Sequence, residues 1–188
     1  VNVCALATDG CILACLYKAG RGAFNSIQKA RIRKTDFYIS EKKQFIEQLE
    51  KEIQSINKRS EKKGIKTAIR LNGTSDLDLL GQIKRKVNDD ILNLANVEYY
   101  DYTKILGKVK KYAGTNYRLT FSHSGDNWNE CQEALNLGAP VSVVFSANAR
   151  KNEPLPKTFK GYTVIDGDKA DDLMLDHKGA YILGLRFK

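Results

Sequence analysis

The feature that most constrains the fold of this sequence is the alternation of short β-branched segments with longer helical patterns. The segment PVSVVFS at 140–146 is bulky and β-branched, which favours a strand. At 77–95 the apolar residues instead recur at a helical period. Strands that alternate with helices indicate a mainly parallel sheet, because each helix returns the chain to the start of the next strand. The predicted strands are 66–72, 97–103, 117–123, 140–146, 162–168 and 180–187. The predicted helices are 23–39, 77–95, 104–113 and 127–137, and a further helix begins after Ser40 as its N-cap and ends at Gly64.

We therefore expect an α/β fold, either a partial or open (β/α) barrel of about six mainly parallel strands or a doubly wound sheet. The 188 residues are a usual length for one domain, here 1–188 with an N-terminal cysteine-rich loop at 1–22. No run approaches the ~18 consecutive apolar residues of a membrane span, and the apolar start lacks the basic region of a signal peptide. We expect a cytoplasmic protein with no membrane partner. The oligomeric state is not indicated.

The positive charge of the chain is concentrated in one third of its length. The formal net charge is +9, and residues 16–70 carry fifteen Lys and Arg against six Asp and Glu. Such a patch attracts phosphate groups, which predicts a nucleic acid or an anionic small molecule as partner. A solvated helical face has the same composition, so this alternative remains open. The candidate nucleic-acid or anion contacts are Arg21, Lys29, Arg31, Arg33 and Lys34.

The carboxyl ends of the predicted strands are rich in polar residues. Ligands of parallel α/β folds collect at these ends, although loops are polar for other reasons as well. The cofactor-binding candidates are Asn72, Ser75, Asp76, Asp101, Lys104, Ser122, His123 and Asp166. A weaker hypothesis is a Mg²⁺ site for phosphoryl transfer, which requires three carboxylates to converge from the set Asp76, Asp101, Asp166 and Asp168. No known catalytic motif is present, so the catalytic residues are unknown.

Three of the four cysteines, Cys4, Cys11 and Cys15, lie within twelve residues in the pattern C-x6-C-x3-C. A secreted disulfide scaffold would be shorter and richer in cysteine. Zinc remains an alternative metal, since Cys11 and Cys15 have the spacing of a ligand pair. An iron–sulfur cluster is bound by several thiolates, and this is the interpretation we favour. The alternative is that the three cysteines are separate core residues that bind no common metal. Cys131 lies within a predicted helix and is interpreted as a buried apolar residue rather than a fourth ligand.

The motifs of this chain resemble the phage-encoded gene product 88 family. The resemblance spans Cys4 to Arg186 and rests on C-x6-C-x3-C followed by KAGRGAFNSIQKARIRK, AIRLNGTSD, VEYYDYTKI, YRLTFSHSGDN and VIDGD. A cysteine triad before a (β/α) barrel is also similar to radical S-adenosylmethionine enzymes, whose usual spacing is C-x3-C-x2-C. That similarity implies a [4Fe–4S] cluster on Cys4, Cys11 and Cys15, with S-adenosylmethionine on the fourth iron. A phage origin implies the host cytoplasm.

Two functions follow as hypotheses. The leading one is an iron–sulfur cluster protein on a reduced (β/α) barrel, with a radical S-adenosylmethionine-like or other redox activity. The alternative is a nucleic-acid-binding phage protein whose metal site is structural. The substrate and the reaction are not indicated by the sequence.

Overall fold

The computed structural model describes residues 3–9, 12, 15, 17, 20–149, 151 and 153–187. Cys11 lies outside the described residues. The helices are α1 (Asn25–Ser40), α2 (Lys42–Lys63), α3 (Leu79–Lys86), α4 (Leu106–Tyr112), α5 (Trp128–Asn136) and α6 (Leu173–Asp176), with 3₁₀ turns at Gly20–Ala23 and Ile91–Asn93. The strands are β1 (Thr67–Arg70), β2 (Val97–Thr103), β3 (Tyr117–Ser122), β4 (Val141–Asn148), β5 (Thr158–Phe159), β6 (Tyr162–Asp166) and β7 (Ile182–Phe187).

The seven strands form one sheet in the order β1-β2-β3-β4-β7-β6-β5. Strand β4 lies between β3 and β7 and is parallel to both. Strand β6 is parallel to β7, whereas β5 pairs with β6 in the antiparallel direction. The prediction of an α/β fold with a mainly parallel sheet is therefore confirmed, and an open sheet of this kind is consistent with a partial (β/α) barrel.

The chain divides into two compact units, and β2 contains the boundary between them. The first unit comprises Val1–Ala5 and Ala14–Tyr99. Its core includes Ile46 and Ile53, which lie two turns apart on α2 and therefore on one face of that helix. Helix α1 is joined to α2 through the ring of Phe45, which meets the ring of Tyr38 edge to face at 5.3 Å.

The second unit comprises Leu6–Leu13 and Tyr100–Lys188. Its core is formed by the central strands, whose residues Phe121, Val141 and Ile182 are each at most 1% exposed. A strand that is covered on both faces needs a nearly continuous apolar sequence, and β7 has this character. Strands β5 and β6 form a hairpin whose two turn residues, Lys160 and Gly161, both have positive φ, as a type I′ turn requires.

The structure differs from the predicted elements at three places. The helix predicted over 77–95 ends at Lys86, and the 3₁₀ turn Ile91–Asn93 follows it. The prediction that Ser40 caps the second helix is wrong, because Ser40 is the last residue of α1 and its hydroxyl donates to the carbonyl of Asp36 at 2.8 Å. Strand β5 and helix α6 were not predicted. In the part of the chain that the structure describes, no helix has the length and apolar character needed to cross a bilayer.

Candidate functional site

The loop that follows β1 is built around a buried asparagine. Asn72 is 2% exposed, and its Oδ1 accepts hydrogen bonds from Ser75 Oγ at 2.7 Å and from the backbone N–H of Leu77 at 3.0 Å. Its Nδ2 donates to the carbonyl of Leu77 at 3.1 Å. Because a buried amide is costly unless its polar atoms are paired, these bonds fix the course of the loop. The predicted residues Asn72, Ser75 and Asp76 therefore belong to one ordered loop.

Val3 and Cys4, near the start of the chain, contact this same loop. The backbone N–H of Asp76 donates to the carbonyl of Val3 at 3.0 Å, and Cys4 Sγ lies 3.6 Å from the carbonyl oxygen of Thr74, to which it donates. The half-buried Cys4 thiol thus lies beside the residues that follow the carboxyl end of β1. This is the end of a strand at which α/β proteins hold their ligands.

The other described cysteines have contrasting surroundings. Cys15 is half-buried, and its Sγ accepts from the backbone N–H of Tyr17 at 3.4 Å. Cys15 is a free thiol. Cys131 is fully buried on α5, and burial raises the pKa of its thiol to about 11. A metal ligand must be a thiolate, so the interpretation of Cys131 as a buried apolar residue agrees with its placement.

The Mg²⁺ hypothesis is wrong for the residues that it named. All four of its carboxylates are described, yet in the described part of the chain no three His, Cys, Asp or Glu side chains form a group that would hold a metal ion. Asp101 is fully buried and accepts a hydrogen bond of 2.7 Å from the Tyr117 hydroxyl. This predicted cofactor contact therefore lies inside the fold, away from solvent.

Asp166, another predicted cofactor contact, is held by an arginine. The Arg186 guanidinium donates to both oxygens of Asp166, at 2.8 and 2.9 Å, and to Asp168 at 3.2 Å. Its Nε also donates to the carbonyl of Glu153 at 2.7 Å. Hydrogen bonding to Arg186 keeps the pKa of Asp166 below its ordinary value, so the carboxylate stays ionised and paired. This network joins the carboxyl ends of β6 and β7.

A second polar site lies at the carboxyl end of β3, within the second unit. His123 follows the strand, and its ring centroid lies 6.1 Å from that of Trp128 and 6.0 Å from that of Phe159. The ammonium of Lys160 lies 4.8 Å from the centre of the Trp128 ring. Partial burial, together with the positive charges of Lys160 and Lys104, lowers the pKa of His123, while Asp126 acts in the opposite direction.

The structure thus places Ser122 and His123 of the predicted set beside aromatic residues that the sequence did not single out, and the charge of Lys104 acts on the His123 imidazole. The backbone carbonyl of Ser122 accepts from Nδ2 of Asn127, and the Ser122 hydroxyl lies 3.3 Å from that of Ser142. The signal that would have pointed to the added residues is weak. It consists of the single tryptophan of the chain and the Lys-Gly pair of a tight turn.

We expect His123 to titrate below its ordinary pKa of 6.5, because partial burial, and after it the charges of two lysines, disfavour its charged form. His177 is the other histidine of the chain, so His177→Gln leaves a single imidazole to follow by NMR as the pH is varied. Lys160→Gln, made in that background, should raise the pKa of His123. A pKa that does not move when Lys160 is neutralised would show that this lysine does not act on the imidazole.

The predicted basic residues lie on and beside α1, a helix with no buried residue. Arg31 is half-buried, donates to the carbonyl of Tyr17 at 3.4 Å and lies 5.6 Å from the centre of the Tyr17 ring. The other four cations are exposed, and none of their side chains has a hydrogen bond or ion pair with a described residue. They are Arg21, Lys29, Arg33 and Lys34. Arg31 is therefore a packing residue, whereas these four are available to an external anion.

A surface groove of the second unit lies at the opposite end of β3. It is lined by Tyr117 and Arg118 at the start of the strand, by Pro140 before β4, and by His177 and Lys178. None of the residues that the sequence predicted as contacts lines this groove. The predicted polar face and the groove are therefore two separate features of the unit.

A protein-family model described as Gene product 88 matches residues 1–188. The match covers the whole chain and confirms the family resemblance that the motifs indicated. No curated protein and no solved structure matches the chain.

Proposed function

The chain belongs to the gene product 88 family, and from that premise we propose that it is an iron–sulfur protein whose N-terminal thiols ligate a [4Fe–4S] cluster. Cys4 and Cys15 are the described ligands of this proposal. Cys11 is the third thiol of the motif and enters on the sequence alone, since it lies outside the described residues. An open fourth iron would accept S-adenosylmethionine or another small ligand.

The observation that carries the proposal is the contact between Cys4 and the loop after β1. A thiol at the carboxyl end of a strand is placed where a ligand of an α/β protein is expected. The neighbouring loop is held by the buried Asn72, so its polar groups are preorganised. Ser75 and Asp76 are the polar side chains of this loop that would contact a second ligand.

The donor chemistry of the described thiols fits the group. Soft thiolate sulfur is the ligand that iron–sulfur clusters select, and both Cys4 and Cys15 are half-buried. Partial burial shields a cluster from solvent while leaving a route for a ligand. When bound, the cluster would supply one-electron transfer. This chain would contribute the thiolates and the loop that positions a bound ligand beside them.

The experiment that tests the proposal is the absorption spectrum of protein purified without oxygen. We expect a brown protein with absorbance near ~400 nm, which thiolate-bound iron produces, and bleaching of that band on exposure to air. Colourless protein that contains one zinc per chain would overturn the iron–sulfur proposal and would favour a structural metal site.

Nucleic-acid binding is a second candidate function, and the exposed cations of α1 favour it. Arg21, Lys29, Arg33 and Lys34 have no partner among the described residues, so binding phosphates would not break an existing ion pair. Asp36 is the one acidic residue of α1, so the helix is predominantly positive. A surface of this kind binds the nucleic-acid backbone without reading its sequence.

We expect the affinity for duplex DNA or RNA to fall steeply with salt, because each bound phosphate releases counterions. Replacing Arg21, Lys29, Arg33 and Lys34 with glutamine should reduce the slope of log K against log salt by about 3 to 4. The matched control replaces four exposed cations of α2, Lys58, Arg59, Lys62 and Lys63. Equal losses in the two variants would contradict a binding surface on α1, and so would an affinity that does not change with salt.

A further inference from the structure

The cluster at the carboxyl end of β3 combines positive charge with aromatic rings, and neither proposed function uses it. We define the β3-end site as Lys104, His123, Trp128, Phe159 and Lys160. We propose that it binds a nucleotide, with the base against the Trp128 ring and the phosphate between the two lysines. This inference rests on the second unit alone and does not depend on the cluster proposed for the N-terminal thiols.

The backbone of the site is held in place before any ligand arrives. The N–H of His123 donates to the carbonyl of Ser142 on β4 at 2.9 Å, which ties the residue to the neighbouring strand. Asn127 bridges the following loop, since its Oδ1 accepts from the N–H of Ser124 at 2.8 Å and its Nδ2 donates to the carbonyl of Ser122 at 3.1 Å. A site on fixed backbone binds with less loss of conformational entropy.

The charge around His123 favours an anion. Lys104 follows β2 and Lys160 lies in the β5–β6 turn, so two separate elements contribute positive charge that acts on the same imidazole. Asp126 is the carboxylate that acts on it in the opposite sense, and its Oδ1 already accepts from the Ser124 hydroxyl at 3.0 Å. Two lysines and an imidazole N–H are donors that suit a phosphate group.

The aromatic residues favour a flat, apolar group beside that phosphate. Trp128 meets His123, Phe159 and Tyr162 edge to face, and none of the three rings stacks parallel on it. The Lys160 ammonium lies over the Trp128 ring, which shows that a cation already uses the π system of this ring. A base that replaced this ammonium would stack on the indole, and Lys160 would then pair with the phosphate. A nucleotide contains both groups.

Trp128 is the single tryptophan of the chain, so its fluorescence reports directly on the site. We would titrate the full-length protein with AMP, and separately with adenosine and with inorganic phosphate. The proposal predicts saturable quenching by AMP, with adenosine and phosphate each binding at least about tenfold more weakly, because each supplies half of the contacts. Lys104→Gln and Lys160→Gln should each weaken AMP binding by about tenfold.

Lys178→Gln is the matched control, because Lys178 is an exposed lysine of the same unit that lines the groove at the other end of β3. Circular dichroism would verify that each variant is folded. Absence of quenching by AMP would overturn the site. Equal affinity for AMP and adenosine, equal affinity for AMP and phosphate, or an equal loss in Lys178→Gln would overturn the nucleotide assignment.

Discussion

Cys4→Ser and Cys15→Ser should each abolish the absorbance near ~400 nm and remove most of the bound iron. A hydroxyl is a poor ligand for iron at neutral pH compared with a thiolate, and a cluster held by three thiols loses a third of its protein ligands in either variant. A serine hydroxyl is close in size to the Cys4 thiol and can donate to the carbonyl of Thr74 in its place, so the fold of the first unit should be retained. Anaerobic spectra and iron content measure the effect.

Cys131→Ala is the control for these variants. Cys131 is fully buried in the second unit, where burial raises the pKa of its thiol to about 11, so it should not contribute a thiolate. The alanine variant should keep its colour and its iron. Loss of colour in Cys131→Ala would make Cys131 a fourth protein ligand and remove the open iron. Full iron content in Cys4→Ser would exclude Cys4 from the site.

Gly184→Ala should destabilise the protein by about 1–3 kcal/mol, because β7 has no room for a methyl group at this position. A Cβ at Gly184 would lie 2.6 Å from Cγ1 of Val164 and 3.0 Å from Cδ1 of Leu155. Val164 is on β6, directly beside β7 in the sheet, and its branched side chain is stiff. The overlap is therefore relieved only by moving the strands apart. Urea denaturation followed by circular dichroism measures the change.

Gly73→Ala is the matched control for this substitution. Gly73 has a negative φ, and a Cβ there meets no heavy atom within 4 Å. The alanine variant should keep its stability to within about 0.5 kcal/mol, as surface substitutions usually do. An unchanged denaturation midpoint in Gly184→Ala would contradict the close packing of β6 and β7 described above.

Most of the sheet could be predicted from the sequence, because its strands are short, buried and rich in β-branched or aromatic residues. The segments predicted over 97–103 and 117–123 correspond to Val97–Thr103 and Tyr117–Ser122. Strand β5 was missed, since two residues give no measurable alternation. The helix predicted over 77–95 was too long because its apolar period continues through a break, where the polar residues Asn88, Asp89 and Asp90 separate α3 from the 3₁₀ turn.

The candidate sites were predictable where neighbouring residues in the chain form them. Asn72, Ser75 and Asp76 lie in one loop, so predicting where the strand ends was sufficient to group them. Asp101 and Asp166 depend instead on partners far along the chain. The Tyr117 hydroxyl binds the first and the Arg186 guanidinium binds the second, and no local pattern reveals either pairing. The contact of Trp128 with Lys160 in the β3-end site was not predicted for the same reason. The β5–β6 turn brings Lys160 to Trp128 from a distant part of the chain.

The most direct test of the iron–sulfur proposal is the iron and acid-labile sulfide content of protein purified without oxygen. The proposal predicts equal amounts of the two, about four of each per chain, as a [4Fe–4S] cluster requires. Protein that contains neither iron nor sulfide, or that contains zinc in their place, would contradict it.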